Sequence, residues 1–241
     1  MTGTAVIIGA GDGTGAAVAR AFAGEGLVAC VSRRPRHAEA LEGLVREIEA
    51  AGGRAVALPA DARDEAAVAR VFAEAEAIGP VEAAVFNVGA NVRYGIEETT
   101  ERVYRKVWEM AALAGFLTIR EAARLMRPRG RGTIIATGAT ASMRGSAGFA
   151  AFASAKHALR ATAQAAAREL GPHGIHVAHV ILDGMIDGAF IRETVPDAAE
   201  RRAADRLLRP KDIAAEYVRL HRQPRSAWTF ECDLRPYAER W

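Results

Sequence analysis

Cysteine is scarce in this sequence: among 241 residues only Cys30 and Cys232 carry thiols. Two cysteines make no disulfide framework, and they do not suggest a metal site. Long apolar runs are missing as well, because none approaches the ~20 residues that a membrane-spanning helix needs. The chain enters an apolar strand pattern directly after its first four residues, so we expect no signal peptide. These absences predict a soluble, cytoplasmic protein that holds no metal.

An excess of one charge is also missing. The sequence has 32 Lys and Arg and 29 Asp and Glu, which leaves a formal net charge of +3, so the pI near 9.1 reflects a small imbalance. The arginines near residue 130 and over 201–209 are not interleaved with aromatic residues, and we expect no nucleic acid partner. Half of the residues are hydrophobic and a quarter are charged, which supports a sizeable core and excludes disorder as the main state.

Short apolar runs alternate along the chain with Ala-rich amphipathic stretches. The runs lack the period of two that marks a half-buried strand, as is typical of strands buried on both faces of a sheet. The alternation predicts an α/β, doubly wound fold whose mostly parallel sheet has seven strands and helices on both faces. The predicted strands are 5–8, 27–31, 55–58, 81–86, 133–136, 176–182 and, with the poorest pattern, 227–232. The predicted helices are 13–24, 36–51, 64–77, 100–126, 151–170 and 211–222.

A glycine-rich turn follows the first predicted strand. Residues 9–15 read Gly-Ala-Gly-Asp-Gly-Thr-Gly, and a helix begins there. Glycines let the backbone turn sharply and approach a ligand, and the helix N-terminus offers N–H groups to a phosphate. In this βαβ context the turn predicts a Rossmann-type nucleotide site. A tight turn without a ligand is the alternative.

The second predicted strand ends at Ser32, which Arg33 and Arg34 follow. An acidic residue at this place would bind a ribose 2′-hydroxyl and repel a 2′-phosphate. Guanidinium groups bind phosphate instead. The sequence therefore favours NADP(H) over NAD(H), although Asp12 adds a negative charge near the phosphates and the two arginines could be surface charges only.

Further features occur in a fixed order along the chain. Asp61 follows the third strand, Asn87-Val88-Gly89 follows the fourth, and Lys156 lies on the long helix after the fifth. Together with the glycine turn, these resemble the short-chain dehydrogenase/reductase family over essentially the whole chain. The resemblance implies a nicotinamide cofactor, with Lys156 at its nicotinamide ribose. The cofactor-binding residues expected from the turn and the resemblance are Gly9, Gly11, Asp12, Gly13, Thr14, Gly15, Ser32, Arg33, Arg34, Asp61, Ala62, Asn87, Val88, Gly89, Lys156, Gly184 and Ile186.

The resemblance also implies a catalytic set of Asn, Ser, Tyr and Lys, and here the sequence departs from the family. The Tyr position, four residues before Lys156, is Phe152, and the Ser position is Ala139. We place Ala112 at the Asn position, so that Lys156 alone remains. Phe152 has no proton to transfer, and the loss of general acid–base help typically lowers a rate by ~10²–10⁴.

Other polar residues near the same ends of the strands could supply catalytic groups. Tyr94 lies in the loop after the fourth strand, and Ser142 follows the fifth together with Thr140 and Arg144. Asp183 follows the sixth strand, where a carboxylate near phosphates is unfavourable unless it is paired or used. We therefore consider Ser142, Tyr94 and Asp183 as catalytic candidates beside Lys156. A loop aromatic and a turn residue are the plainer alternatives for Tyr94 and Ser142.

The sequence is thus interpreted as a single Rossmann-type domain over 1–241, with a substrate lid at about 184–208. The apolar start of that segment indicates a small, partly hydrophobic substrate. The favoured function is an NADP(H)-dependent oxidoreductase acting on a carbonyl, an alcohol or an activated alkene. A catalytically silent NADP(H)-binding protein, or a partner of an active paralogue, and a non-redox isomerase or cyclase remain alternatives. We expect a homo-oligomer, a tetramer or a dimer, because the resemblance implies one and the Ala-rich helices permit close packing.

Overall fold

The computed structural model describes residues 2–239. Within this range the strands form one seven-stranded, all-parallel sheet in the order β3-β2-β1-β4-β5-β6-β7. The order reverses at β1, as a doubly wound sheet requires, and the predicted fold class is confirmed. The strands are β1 (Thr4–Ile8), β2 (Val28–Ser32), β3 (Arg54–Ala57), β4 (Val81–Phe86), β5 (Gly132–Ala139), β6 (Ile175–Leu182) and β7 (Glu231–Leu234).

Helices cover both faces of the sheet. One apolar cluster joins it to the first two helices and the last one, and a second cluster joins it to three helices on the opposite face. Because the central strands are buried on both faces, they show no alternation in the sequence. The helices are α1 (Thr14–Gly24), α2 (Ala38–Ala50), α3 (Glu65–Ile78), α4 (Glu101–Trp108), α5 (Ala114–Met126), α6 (Ala150–Leu170), α7 (Ala189–Thr194), α8 (Ala198–Ala203) and α9 (Pro210–His221).

The strand register creates a step at the carboxyl edge of the sheet. β1 and β4 end level, since Ile8 pairs with Phe86, and Phe86 in turn pairs with Ala136. β5 and β6 continue beyond this point, as far as the pair of Ala139 and Leu182. The prediction ended β5 at residue 136, so the extension was missed. The longer strands form one wall beside the edge where ligands of such sheets bind.

Two other predicted elements differ from the structure. The predicted helix at 100–126 is interrupted by a π-helical turn at Glu109–Leu113, a feature found mostly as single turns inside α-helices. The last strand, predicted at 227–232, lies at Glu231–Leu234, because Arg225–Ala227 form a 3₁₀ turn. None of the helices in residues 2–239 is long and apolar enough to cross a membrane. The same residues contain no group of three or more His, Cys, Asp or Glu that could hold a metal ion.

The segment 184–208 forms two short helices, α7 and α8, between closely joined ends. A β-bridge links Ile186 to Leu208, and the Leu208 N–H donates to the Met185 carbonyl at 2.8 Å. The buried Asp187 carboxylate lies 2.9 Å from the Arg192 guanidinium and 3.0 Å from that of Arg202. One carboxylate therefore ties both short helices to the base of the segment.

Candidate cofactor and substrate site

A cavity of about 770 Å³ runs along the carboxyl edge of the sheet. The glycine turn after β1 lines one end, and the start of the segment 184–208 lines the other. All of the residues that the sequence predicts to bind cofactor line this one cavity: Gly9, Gly11, Asp12, Gly13, Thr14, Gly15, Ser32, Arg33, Arg34, Asp61, Ala62, Asn87, Val88, Gly89, Lys156, Gly184 and Ile186. The fold thus brings together side chains that are up to 177 positions apart in the sequence.

The glycine turn has no room for side chains at its inner positions. Gly9 has φ +92°, and a Cβ added there would lie 2.7 Å from the Asn87 carbonyl oxygen. A Cβ at Gly15 would collide with the Gly9 carbonyl, whereas Gly13 has open space beside it. The Asn87 side chain donates to the Gly9 carbonyl at 3.1 Å and so fixes the turn to β4. This arrangement explains why both the glycines and Asn87 occur at these positions.

The start of α1 has unused hydrogen-bonding groups. Within the described part of the chain no side chain caps this helix, and the first N–H groups of a helix have no partners within it. The buried Thr14 hydroxyl has no hydrogen-bond partner among the described residues. A phosphate oxygen at the positive end of the helix dipole would satisfy both needs. The residues present therefore fit a pyrophosphate group.

Positive charge collects beside the ends of β2 and β3. The Arg33 guanidinium carbon lies 3.8 Å from the position of a Cβ on Gly11, so this side chain lies over the glycine turn. Burial and the neighbouring charges of Arg36, Arg63 and Arg33 lower the pKa of Arg34, and Asp61 opposes this effect. Several guanidinium groups lie close enough to Arg34 to lower its pKa, and such a concentration of positive charge favours an anionic ligand group.

Asp61 is already engaged by a residue that sequence reasoning missed. Arg63, two positions further on, donates to both Asp61 oxygens, at 3.0 and 2.6 Å. The hydrogen bond from Arg63 lowers the pKa of Asp61, so the carboxylate is charged. Arg63 also lines the cavity. Its spacing from Asp61 was a local signal that could have identified the pair.

Lys156 lies at the middle of the cavity. Its side chain extends from α6 and donates to the Thr137 carbonyl at 2.8 Å and to the Val88 carbonyl at 3.4 Å. The residue is 3% exposed, and burial lowers the pKa of Lys156 to about 8. At neutral pH most molecules therefore carry the ammonium form. The two carbonyls, one from β5 and one after β4, orient its Nζ.

Phe152 and Ala139 also line the cavity beside Lys156. The Lys156 Nζ lies 5.9 Å from the centre of the Phe152 ring, one helical turn earlier on α6. Neither Phe152 nor Ala139 has a side-chain hydrogen-bond donor. The third substituted position, Ala112, is buried within the π-helical turn. Around Lys156 the cavity wall is therefore cationic and apolar. The Thr137 hydroxyl lies 2.8 Å from the hydroxyl of the buried Tyr217, and the Thr140 hydroxyl donates to Asp183.

A family model described as short chain dehydrogenase matches residues 3–199. The chain belongs to the short-chain dehydrogenase family. The short-chain dehydrogenase/reductase eriH of Hericium erinaceus is 30% identical over 221 residues, which cover 88% of this chain and 88% of the relative. The L-rhamnose 1-dehydrogenase (NAD(P)(+)) of Azotobacter vinelandii is 31% identical over 229 residues, which cover 89% of this chain and 88% of the relative. A crystal structure of a short-chain dehydrogenase from Rhodopseudomonas palustris is 51% identical, with a TM-score of 0.84 and coverage of 98% of this chain and 99% of that one.

The three further catalytic candidates do not line the cavity of this short-chain dehydrogenase. Ser142 is fully buried, and its Oγ accepts a hydrogen bond from the Ala139 N–H at 3.1 Å. Tyr94 is 46% exposed at the surface. Asp183 is buried and accepts a short hydrogen bond from Thr140. Among the described residues that line the cavity none of the three occurs, so direct contact with a substrate would require a change of conformation.

Sequence reasoning also missed a partly buried polar cluster next to β5. The His179 Nδ1 lies 2.9 Å from Glu231, which accepts two hydrogen bonds from Arg160, at 2.6 and 2.8 Å. Burial lowers the pKa of His179, although Glu231 opposes the effect. The three residues come from β6, β7 and α6, so no local pattern connects them. The cluster ties the edge strand β7 to the helix that carries Lys156.

Proposed function

We propose that this short-chain dehydrogenase is an NADP(H)-dependent oxidoreductase that acts on a small, partly hydrophobic carbonyl compound, alcohol or activated alkene. The observation that carries the proposal is the continuity of one cavity, from the unpartnered Thr14 hydroxyl at the glycine turn to the buried Lys156 ammonium. When bound, the nicotinamide group supplies or accepts a hydride.

The binding roles follow from the charges around the cavity. The glycine turn and Thr14 would hold the pyrophosphate, and Arg33 with Arg34 would hold a 2′-phosphate. Asp61 is engaged by Arg63, and no acidic residue follows β2, where one would repel that phosphate. Lys156, oriented by the Thr137 and Val88 carbonyls, would hold the nicotinamide ribose. The name of the Azotobacter relative includes both NAD and NADP, so the preference rests on the arginines of this chain.

The catalytic part of the proposal depends on Lys156 alone. Phe152 and Ala139 occupy the positions where the resemblance implies a phenol and a hydroxyl, so these positions cannot donate a proton. The Lys156 cation can still stabilise negative charge that develops on a substrate when it accepts a hydride. A substrate that delocalises this charge, such as an electron-poor alkene, needs less help from a proton donor. Conjugate reduction therefore suits this wall better than reduction of a simple ketone.

The same two residues favour a second candidate function. A protein that binds NADP(H) without turnover needs the glycine turn and the arginines but no proton donor. Phe152 and Ala139 line the cavity, and neither side chain is a proton donor. A protein that binds NADP(H) without turnover would tolerate both residues at these positions. The two candidates share their binding residues and differ only in whether hydride is transferred.

The proposed substrate end is formed by the start of the segment 184–208. Met185, Ile186, Phe190 and Ile191 line the cavity there, and Phe190 is 72% exposed. We interpret the segment as a lid, because its ends are joined and its apolar side chains face the cavity. Closure over a substrate would bury Phe190 and exclude water from Lys156.

The proposed assembly is a homo-oligomer formed through the long helices. Tyr104 and Trp108 on α4 and Phe116 on α5 are each more than 40% exposed and are spaced at multiples of four residues. An exposed aromatic stripe of this kind is typical of a protein interface. Light scattering at micromolar concentration would test it, and a mass near 25.6 kDa would contradict it.

The cofactor proposal is tested by titrating the protein with NADPH and with NADH, followed by nucleotide fluorescence. We expect NADPH to bind at least ~10-fold tighter, about 1.4 kcal/mol. The double substitution Arg33→Gln, Arg34→Gln should bring the two affinities close together. Arg70→Gln on the exposed face of α3 changes the charge but not the site, and it should leave the preference intact. Equal affinities in the parent protein would contradict the preference for NADP(H).

Turnover is tested with NADPH and a panel of ketones, aldehydes and electron-poor alkenes, followed at 340 nm. Consumption of NADPH that is lost in Lys156→Met supports the oxidoreductase. Tight binding of NADPH without turnover of any compound in the panel supports the silent binding protein. Failure to bind NADPH at millimolar concentration would contradict both functions.

A further inference from the structure

The charges that line the cavity are distributed unevenly. Its two acidic residues, Asp12 and Asp61, follow β1 and β3, in the half of the sheet assigned above to the cofactor. In the other half, where β4, β5 and β6 end, the charged lining residues are Lys156 and Arg144. Both are cations. Among the described lining residues of this half there is no carboxylate to balance them.

Arg144 lies after β5, beside the apolar substrate end. Its backbone N–H donates to the Thr140 carbonyl at 3.2 Å, which fixes the turn that carries it. Its side chain is 47% exposed, and its nearest carboxylate oxygen is Asp183 Oδ1, at 3.8 Å. That distance exceeds hydrogen-bond length, and no hydrogen bond joins the Arg144 guanidinium to another side chain of residues 2–239. Its five donors are therefore available to a ligand.

Asp183 is committed elsewhere. The same Oδ1 accepts the short hydrogen bond from Thr140, and Oδ2 lies 3.7 Å from the Arg235 guanidinium. The carboxylate is buried behind the cavity wall and contributes nothing to its lining. It can hold Arg144 electrostatically near its position, but it does not satisfy the guanidinium. Asp183 thus attracts the Arg144 guanidinium, while the N–H donors of Arg144 stay available to a ligand in the cavity.

The surroundings of Arg144 limit the kind of anion. Ser146, two positions after Arg144, lines the cavity, as does Thr140, whose hydroxyl donates to Asp183, and Phe149 and Met185 are among the apolar lining residues. A planar carboxylate matches a guanidinium fork with two parallel hydrogen bonds. The apolar wall suits a hydrocarbon or aromatic body attached to it.

We propose that Arg144 is a substrate-binding residue that selects small organic carboxylates with an apolar body. The inference rests on the proposed function, since it assigns the substrate class of the same cavity. The carboxylate would bind at Arg144, and the reducible group of the same molecule would lie toward Lys156 and the cofactor. Neutral analogues of the same shape would bind more weakly, because they give the Arg144 guanidinium no anionic hydrogen-bond acceptor.

The test uses the full chain with bound NADPH and two matched probes, 4-phenyl-2-oxobutanoate and its methyl ester. Their affinities are measured by ligand-observed NMR, with the acid and the ester competing for the same cavity, so that the readout does not need turnover. We expect the acid to bind at least ~10-fold tighter than the ester. Arg144→Met should remove this difference while the affinity for the ester stays within about twofold. Arg144→Lys, which keeps the charge but loses the fork, should retain part of the difference.

Arg168→Gln serves as the matched control. Arg168 is exposed in the last turn of α6, and its one side-chain hydrogen bond within residues 2–239 goes to a backbone carbonyl of its own helix. The substitution therefore removes one positive charge at a position that does not line the cavity. It should leave the preference for the acid unchanged. Thermal unfolding and NADPH affinity of each variant show that the fold and the cofactor site are intact.

The outcomes separate the inference from the function on which it rests. Equal affinities of acid and ester in the NADPH complex would overturn the carboxylate subsite, and so would a difference that survives in Arg144→Met. Failure of the parent to bind NADPH would instead contradict the proposed function itself. Reduction of the oxo acid at 340 nm, with a KM raised and kcat little changed in Arg144→Met, would assign Arg144 to binding and not to the hydride step.

Discussion

Replacement of Lys156 by Met should change the pH dependence of stability in a defined way. Burial lowers the pKa of Lys156 from 10.5 to about 8 in the folded chain, whereas the unfolded chain has the ordinary value. Between pH 8 and 10.5 the unfolded state therefore binds more protons than the folded state, and the free energy of unfolding rises with pH. At ~1.4 kcal/mol per pKa unit, the total rise is about 3 kcal/mol. Below pH 8 the buried ammonium lowers the free energy of unfolding by this full amount.

The measurement compares urea unfolding of the parent and of Lys156→Met, without cofactor, from pH 7 to pH 10.5. Other groups titrate in both proteins and cancel in the difference. We expect the parent to gain about 3 kcal/mol relative to the variant over this range. At pH 7 the variant no longer has the cost of about 3 kcal/mol for burying the ammonium, but it loses two hydrogen bonds to carbonyls, worth ~1 kcal/mol each. The variant should therefore be the more stable protein at pH 7 by ~1–2 kcal/mol.

The exposed Lys106 on α4 provides a matched control, because Lys106→Met removes the same charge from a solvated position. Its difference from the parent should not vary with pH by more than a few tenths of a kcal/mol. A difference between the parent and Lys156→Met that is flat from pH 7 to pH 10.5 would refute the reasoning. It would mean that water reaches the Lys156 ammonium in the folded chain.

Three other outcomes are expected. Gly138→Ala should destabilise the fold by ~1–3 kcal/mol in urea unfolding, because the added methyl group would collide with the buried His179 ring, and an unchanged midpoint would contradict this packing. Since burial lowers the pKa of His179, the free energy of unfolding should fall as the pH falls below about 6.5, and His179→Gln should flatten that decline. The double substitution Phe152→Tyr, Ala139→Ser should raise carbonyl reduction at least ~10²-fold over the parent, with Lys156 lowering the pKa of the new phenol; a slower double variant on a good native substrate would show a site rebuilt around other groups.

The fold could be predicted from the sequence because its central strands are buried on both faces. Continuous apolar runs such as 5–8, in alternation with Ala-rich amphipathic stretches, are typical of strands in such a sheet. The edge strand β7 was displaced in the prediction because an edge strand has less apolar burial to mark it: Glu231 and Asp233 lie within it. The π-helical turn left no periodicity to detect, since it adds a single residue to a continuous helix.

That the residues proposed to bind the cofactor would share one cavity could be predicted for a different reason. Its residues follow the ends of successive parallel strands, and topology alone brings such positions to one edge. The substrate half depends on turns whose geometry is not local. Ser142 is turned inward, where its hydroxyl accepts the Ala139 N–H, and Asp183 is turned toward Thr140. The sequence predicted that Ser142 and Asp183 lie at the carboxyl edge of the sheet, but it could not show that neither residue lines the cavity.

The distribution of charge connects the proposed function with the proposed substrate. Where a site has a proton donor, a neutral carbonyl can accept a hydride because its oxygen is protonated at the same time. The wall formed by Phe152 and Ala139 has no such donor, and the cavity retains Lys156 and Arg144 instead. Cations stabilise negative charge whether it is already present on the ligand or develops during the reaction. In the proposed complex the substrate carboxylate would bind Arg144, and Lys156 would stabilise the charge that develops on the reacting group. Binding and charge stabilisation would then use separate cations, and neither would require the missing hydroxyls.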